Sequence, residues 1–350
     1  MGRILLCGAA LLGVALVVSP AHAASTCSPF GNPPRGQVLN TTITTCFGGV
    51  TVGPWLDGDG TLRSACLYEP SFASPARPLP LIVYVHPSLF TADTIPFATN
   101  LLELRDTADV SGDPARPGFI LLAPQGRATT HFYPSPDDQG TGWDNWYRQL
   151  DPSGGPRIVA GRLYPQNVDA ATIDHFIAAE VATGKVDTSR IYVTGWSNGS
   201  AMAVLYALNR PQIAAVGVYS SPNPFGAFDD PCPQAPTFNA PRSTAEVRVF
   251  SRRLPAYHVH NDCDIGGICP NGELLRAQLE RLGLGVDDVI IDTAQAAVDT
   301  CLDACGTNPD ADMNPEDNPL GFTVGTANHV RWPLLWTADL LAFFRDHPLR

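Results

Sequence analysis

The sequence predicts an α/β fold, with a mostly parallel central sheet and helices on both faces. Three observations lead there. Residues 81–85 (LIVYV) and 119–123 (FILLA) are short continuous apolar runs, the pattern of strands buried on both faces. Stretches with helical apolar spacing alternate with such runs, and that alternation builds a parallel sheet between helices. In residues 186–208 (VDTSRIYVTGWSNGSAMAVLYAL), a β-branched strand pattern passes through a single Gly-x-Ser-x-Gly into an Ala-, Leu- and Met-rich helix pattern.

Taken in order, residues 1–23 read as a targeting segment. Arg3 supplies the positive start, residues 4–18 are apolar, and Ala21-His22-Ala23 is a small-x-small cleavage site. Residues 24–350 then read as one domain, exported after cleavage near Ala23. Residues 24–62 are rich in Pro, Gly and Thr and read as loops and short strands stapled through Cys27 and Cys46. A strand is expected over 62–68, ending at Glu69-Pro70. The central strand over 81–85 ends in His86-Pro87-Ser88. A helix is expected over 94–110, then a buried strand over 119–123. Residues 127–166 form a long excursion around GWDNWY (142–147), and an excursion of that length in a compact domain is commonly functional. Asn167 can cap a helix over 168–183. A strand over 190–194 and a helix over 200–208 flank the serine motif. There follow a strand over 213–220, a Pro-rich excursion over 221–245 and one or two strands within 246–260. A helix over 272–282 and a last strand over 288–293 come next. An Asp- and Asn-rich loop over 294–325 precedes a closing helix over 332–346.

The chain has 350 residues, a net charge of -12 and a single lysine, Lys185. That balance argues against nucleic acid or an anionic membrane surface as partner. No stretch after the leader is long and apolar enough to span a membrane. Of nine cysteines, Cys7 lies in the leader, which leaves eight: Cys27, Cys46, Cys66, Cys232, Cys263, Cys269, Cys301 and Cys305. An even count in an exported chain implies disulfides, with connectivity that spacing does not reveal. No His flanks a Cys pair at zinc-ligand spacing. The acidic run from Asp310 to Asp317 has Pro315 where a calcium loop needs Gly, so it reads as solvated loop.

In a strand–turn–helix setting the two glycines of Gly195-Trp196-Ser197-Asn198-Gly199 allow a sharp turn that exposes Ser197 as a nucleophile. The helix behind it offers free N–H groups and a positive dipole end to a developing oxyanion. A serine needs a base, and the base needs an orienting acid. On this type of fold the chain order is Ser, acid, His. Only His258, His260, His329 and His347 follow Ser197. The first two leave no acid before them, and His347 is three residues from the end. His329 is therefore the expected base, in a loop over 325–329. The acid is Asp262 or Asp264, just past a strand around 256–259. The oxyanion donors are the backbone N–H groups of Asn198 and Ser88, since Pro87 has none. His86 shapes that loop. Trp143 and Trp196 are expected to bind substrate, and no metal or organic cofactor is implied.

These residues resemble a family of secreted esterases, the α/β-hydrolases that include polyhydroxybutyrate depolymerases and feruloyl esterases. RSACLYEP (63–70) is similar to the family's opening strand, LPLIVYVHP to its oxyanion strand, and GWDNWY to its Trp-containing loop. VDTSRIYVTGWSNGSAMA is the most specific match. HNDCDIG is similar to the acid turn, which places the acid at Asp264 with Asp262 second, and NHVRWP to the His turn. Pro87 and Asn261 stand where the family usually has Gly. The resemblance implies a serine carboxylesterase acting through an acyl-enzyme on hydroxyalkanoate polyester or its oligomers. Feruloyl or acetyl esters of plant polysaccharide are the alternative, and a binding protein on a hydrolase scaffold is the alternative outside enzymes.

Overall fold

A computed structural model describes residues 45–58, 60–129, 140–143, 157–159, 162–164, 168–222, 254–264, 268–281, 285–291 and 324–350. The targeting segment, the Asn167 cap, nearly all of the Pro-rich excursion and nearly all of the acidic loop lie outside them. The strands are β1 (Val50–Leu56), β2 (Leu62–Tyr68), β3 (Leu79–Val85), β4 (Ile120–Pro124), β5 (Arg127–Thr129), β6 (Gly140–Gly142), β7 (Arg157–Val159), β8 (Arg162–Tyr164), β9 (Val186–Trp196), β10 (Ala215–Tyr219), β11 (Ala256–Asn261) and β12 (Val286–Ile291). The helices are α1 (Ile95–Ala98), α2 (Leu101–Leu104), α3 (Val168–Val181), α4 (Asn198–Leu208), α5 (Ile268–Arg281), α6 (Val324–His329) and α7 (Thr337–Asp346). None of these helices is long and apolar enough to cross a membrane.

Eight strands form one sheet in the order β1-β2-β4-β3-β9-β10-β11-β12. β2 is antiparallel to both neighbours, while β3, β4 and β9 to β12 run parallel. This is the strand order of an α/β-hydrolase. The period of two along β3 explains the double cover. Leu81, Val83 and Val85 face one cluster with Ile173 and Phe176 of α3 and Met202 and Leu205 of α4. Ile82 and Tyr84 face another with Trp332, Leu340 and Phe344 at the C-terminal end of the chain. The excursion over 127–166 contributes two small antiparallel pairs, β5 with β6 and β7 with β8.

Two helix expectations need correction. The helix expected over 94–110 is a 3₁₀ turn, Ala92–Thr94, followed by the one-turn helices α1 and α2. Thr99 is extended at φ -137° and ψ 167°, and its hydroxyl bonds to Ile95 O and accepts the Leu101 N–H. A short polar side chain here replaces the helix's own bonds. The closing helix begins at Thr337 behind a 3₁₀ turn, Leu334–Trp336, because Pro333 at ψ 75° cannot be helical. Cys46 is bonded to Cys66 of β2, so the first staple runs into the sheet, and Cys263 is disulfide-bonded too.

Beneath the sheet edge lies a buried ion network. Arg63 on β2 meets Asp57 at 3.0 Å and Asp169 of α3 at 2.8 Å, and donates to Gln125 O at 3.0 Å. Arg127 meets Asp169 at 3.2 Å. Buried charges are tolerable when paired and bonded in this way, whereas removing one partner strands the others. Arg63→Met should therefore lower the unfolding free energy by about 3–5 kcal/mol. Urea denaturation measures it, and a loss below about 1 kcal/mol would contradict the pairing as a structural element.

Candidate active site

Strand β9 delivers Ser197 at the end of the sheet, and α4 begins at the next residue. Ser197 sits at φ 55° and ψ -125°, a conformation that costs a non-glycine residue about 1–3 kcal/mol. It persists because the neighbours leave no alternative. The Ser197 N–H donates to Tyr219 O at 2.9 Å, and its carbonyl accepts the N–H groups of Ser200 and Ala201. A Cβ at Gly195 would lie 2.4 Å from Gly199 O, and one at Gly199 would lie 2.1 Å from Val85 O and 2.4 Å from His86 O. Those are impossible contacts, so glycine at both positions is a steric requirement of strand, turn and helix meeting here.

The C-terminal segment brings in the base. His329 Nε2 lies 2.9 Å from Ser197 Oγ, and His329 Nδ1 lies 2.7 Å from Asp264 Oδ1. That network suits an Nδ1–H that donates to the carboxylate and an Nε2 that accepts the serine proton. Ser197 and His329 are each 9 % exposed and Asp264 4 %, so the pair that would meet a substrate lies above the carboxylate. Of the two carboxylates left open by sequence geometry, Asp264 is the one brought to His329. Its other oxygen accepts the Ser220 hydroxyl at 2.7 Å. The His329 carbonyl accepts Trp196 Nε1–H at 2.8 Å. Asn328 donates to Cys263 O at 2.8 Å, and its carbonyl accepts the Tyr219 hydroxyl at 2.7 Å. His329 closes the short helix α6, where the sequence pattern suggested a loop.

The oxyanion side is assembled from three segments. The close approach at Gly199 puts the end of β3 against the start of α4. Trp143 then brackets both: its indole N–H donates to His86 O at 2.9 Å, its backbone N–H to Asn198 Oδ1 at 2.8 Å, and its carbonyl accepts from Asn198 Nδ2. Neither the Asn198 nor the Ser88 backbone N–H donates to a described group, which leaves both available to a bound oxyanion. Ser88 and Leu89 occupy a turn closed by the Phe90 N–H on Pro87 O, with Leu89 at φ 68°.

The structure corrects the expectation that Trp143 and Trp196 bind substrate. Their exposures are 0 % and 1 %, and both indoles bond to backbone carbonyls of the site. They are supports beneath it. Three further residues that position the triad, Ser220, Tyr219 and Asn328, escaped sequence reasoning because each acts across a large sequence separation. Ser220 carried no signal beyond its place at a strand end, and its positive φ of 49° is visible only in the fold.

No family model matches the chain, and no curated protein matches it. Several solved structures are similar in fold. An S-formylglutathione hydrolase from Agrobacterium tumefaciens is 14% identical over 88% of this chain and 99% of its own, with a TM-score of 0.49. A thermostable esterase is 14% identical over 87% of this chain, with a TM-score of 0.47; this chain spans 64% of its length. A ferulic acid esterase from Anaeromyces mucronatus is 12% identical over 80% of this chain and 92% of its own, with a TM-score of 0.46. At such identities and TM-scores nothing about activity is taken from them.

His86 supports the oxyanion turn in neutral form. Its Nδ1–H donates to Pro87 O at 2.8 Å, and Nε2 accepts the Gly126 N–H at 2.9 Å. Burial lowers its pKa from 6.5 to about 4. A depressed imidazole stabilises the fold in full above the unfolded value, and that contribution is lost as pH falls from about 6.5 towards 4. The loss should reach about 3 kcal/mol at the acid end. NMR titration of the His86 ring should show it neutral at pH 5.5, and protonation near its ordinary value would overturn this account.

Proposed function

We propose that this chain is an exported serine esterase that cleaves carboxylic esters through an acyl-enzyme. The observation that carries the reading is His329, placed between Ser197 Oγ at 2.9 Å and Asp264 at 2.7 Å. Ser197 Oγ attacks the ester carbonyl carbon as its proton passes to His329 Nε2. The oxyanion takes N–H bonds from Asn198 and Ser88. The intermediate collapses when His329 returns the proton to the leaving alkoxide, which leaves the acyl group on Ser197. Water then attacks the acyl carbon while His329 takes its proton, and the acid departs as Ser197 is regenerated. Throughout, Asp264 accepts the Nδ1–H and stabilises the imidazolium.

The substrate class proposed is a hydroxyalkanoate polyester or its oligomers. Exposed apolar side chains support it: Leu335 of the 3₁₀ turn after His329 is 88 % exposed, and Leu89 of the oxyanion turn 69 %. Such groups suit an apolar, uncharged polymer. The Cys46–Cys66 bond supports export, since disulfides persist in oxidising compartments.

A fluorophosphonate probe should label the protein at Ser197. Failure to label folded protein would favour a binding protein on this scaffold. Ser197→Ala should lose about six orders of magnitude in turnover, and activity within about tenfold of the parent would remove Ser197 from its role. Asp264→Asn should cost at least about a hundredfold, whereas Asp262→Asn should stay within about tenfold; the reverse ranking would move the acid to Asp262. A panel of polyester film, methyl ferulate and 4-nitrophenyl acyl esters separates the substrate classes, and preference for ferulate would displace the polyester reading.

A further inference from the structure

A cavity of about 360 Å³, a size that holds a small ligand, lies against residues that support the triad. Tyr219, Asn261, Asn328, Arg331, Trp332 and Leu335 are among its lining residues. Its walls are tied to the reacting groups. The Tyr219 carbonyl holds the Ser197 N–H, and Asn328 directly precedes His329. The neutral polar groups of the wall are bonded to one another: Asn261 Nδ2 donates to the Tyr219 hydroxyl at 2.8 Å, and that hydroxyl donates to Asn328 O at 2.7 Å.

Arg331 differs. In a chain of net charge -12, arginines find carboxylates easily. Arg105 rests on Asp106, Arg116 on Asp113, and Arg210 on Asp174. The Arg331 side chain has no ion pair and no hydrogen bond among the described residues, and it lies at a cavity whose other walls include Trp332 and Leu335. A planar fork of donors beside apolar walls, two residues from the base, fits a short apolar chain that ends in a carboxylate.

Resting on the esterase reading, we propose that Arg331 is a specificity determinant which binds the free carboxylate of an ester substrate, so that the enzyme favours carboxylate-terminated hydroxyacid oligomers over their neutral counterparts. The net negative charge of the protein repels such substrates in general. A guanidinium with no carboxylate partner among the described residues, two residues past His329, offsets that locally.

The test compares two substrates, the 3-hydroxybutanoate dimer as its free acid and as its methyl ester, with 4-nitrophenyl acetate as a reference. The parent enzyme should show a higher kcat/KM on the acid, with the difference in KM. Arg331→Ala should reduce the acid-to-methyl-ester ratio by about fivefold or more, and Arg331→Lys should restore part of it. Equal kcat/KM on both dimers in the parent enzyme, or an equal fall on both in Arg331→Ala, would overturn the proposal. Cleavage of 4-nitrophenyl acetate with neither dimer cleaved would also overturn it and leave the esterase reading standing. No cleavage of any of the three would remove both.

Discussion

The site depends on how closely the end of β3 passes the start of α4. At Gly199 the carbonyls of Val85 and His86 lie where any side chain would begin. That approach turns the helix N-terminus towards the oxyanion loop, and it presents Ser197 at the apex of a strained turn. The strain is local, but what maintains it is not. Parallel pairing of β9 with β3 on one side and β10 on the other leaves Ser197 no room to relax. A preorganised turn of this kind needs little reorganisation when charge develops on a bound ester.

A second layer of buried polar groups holds that contact in place. Trp143 ties His86 to Asn198, and His86 in turn accepts the Gly126 N–H. The Gln125 side chain accepts the Ala92 N–H, while the Gln125 backbone carbonyl accepts from Arg63. From Arg63 the network continues through Asp169 into α3. Each link is a polar group removed from water and given a partner, which makes the arrangement specific and its disruption costly. On the other side of the nucleophile the supports are Trp196, Tyr219 and Ser220. They hold the His329 backbone, the Asn328 backbone and the Asp264 carboxylate respectively.

The elements that were legible in the sequence were those with strong local patterning. β3 and β4 read as apolar runs, and the segment around Ser197 read as strand, turn and helix. The errors fell where local and tertiary preferences conflict. The spacing over 94–110 is helical, yet Thr99 and Asn100 break it, and Asn100 accepts from the Thr337 hydroxyl and donates to Leu334 O. Those partners lie more than two hundred residues away, beyond the reach of any window. Trp196 was expected at the substrate because it adjoins Ser197, and Trp143 because it lies in the GWDNWY excursion. Their burial and indole bonds place them underneath.

By itself the sequence determined the fold class, the sharp turn at Ser197 and the chain order of serine, carboxylate and histidine, because each is written in local spacing and residue type. It narrowed the acid to two neighbouring carboxylates and went no further from geometry. Only the tertiary structure decided which of them faces His329, since alternate residues in a turn point in different directions and a single dihedral exchanges them. It also decided that Arg331 ends at a cavity with no carboxylate partner among the described residues. That outcome depends on where the charges of distant segments have come to lie, and no local pattern records it.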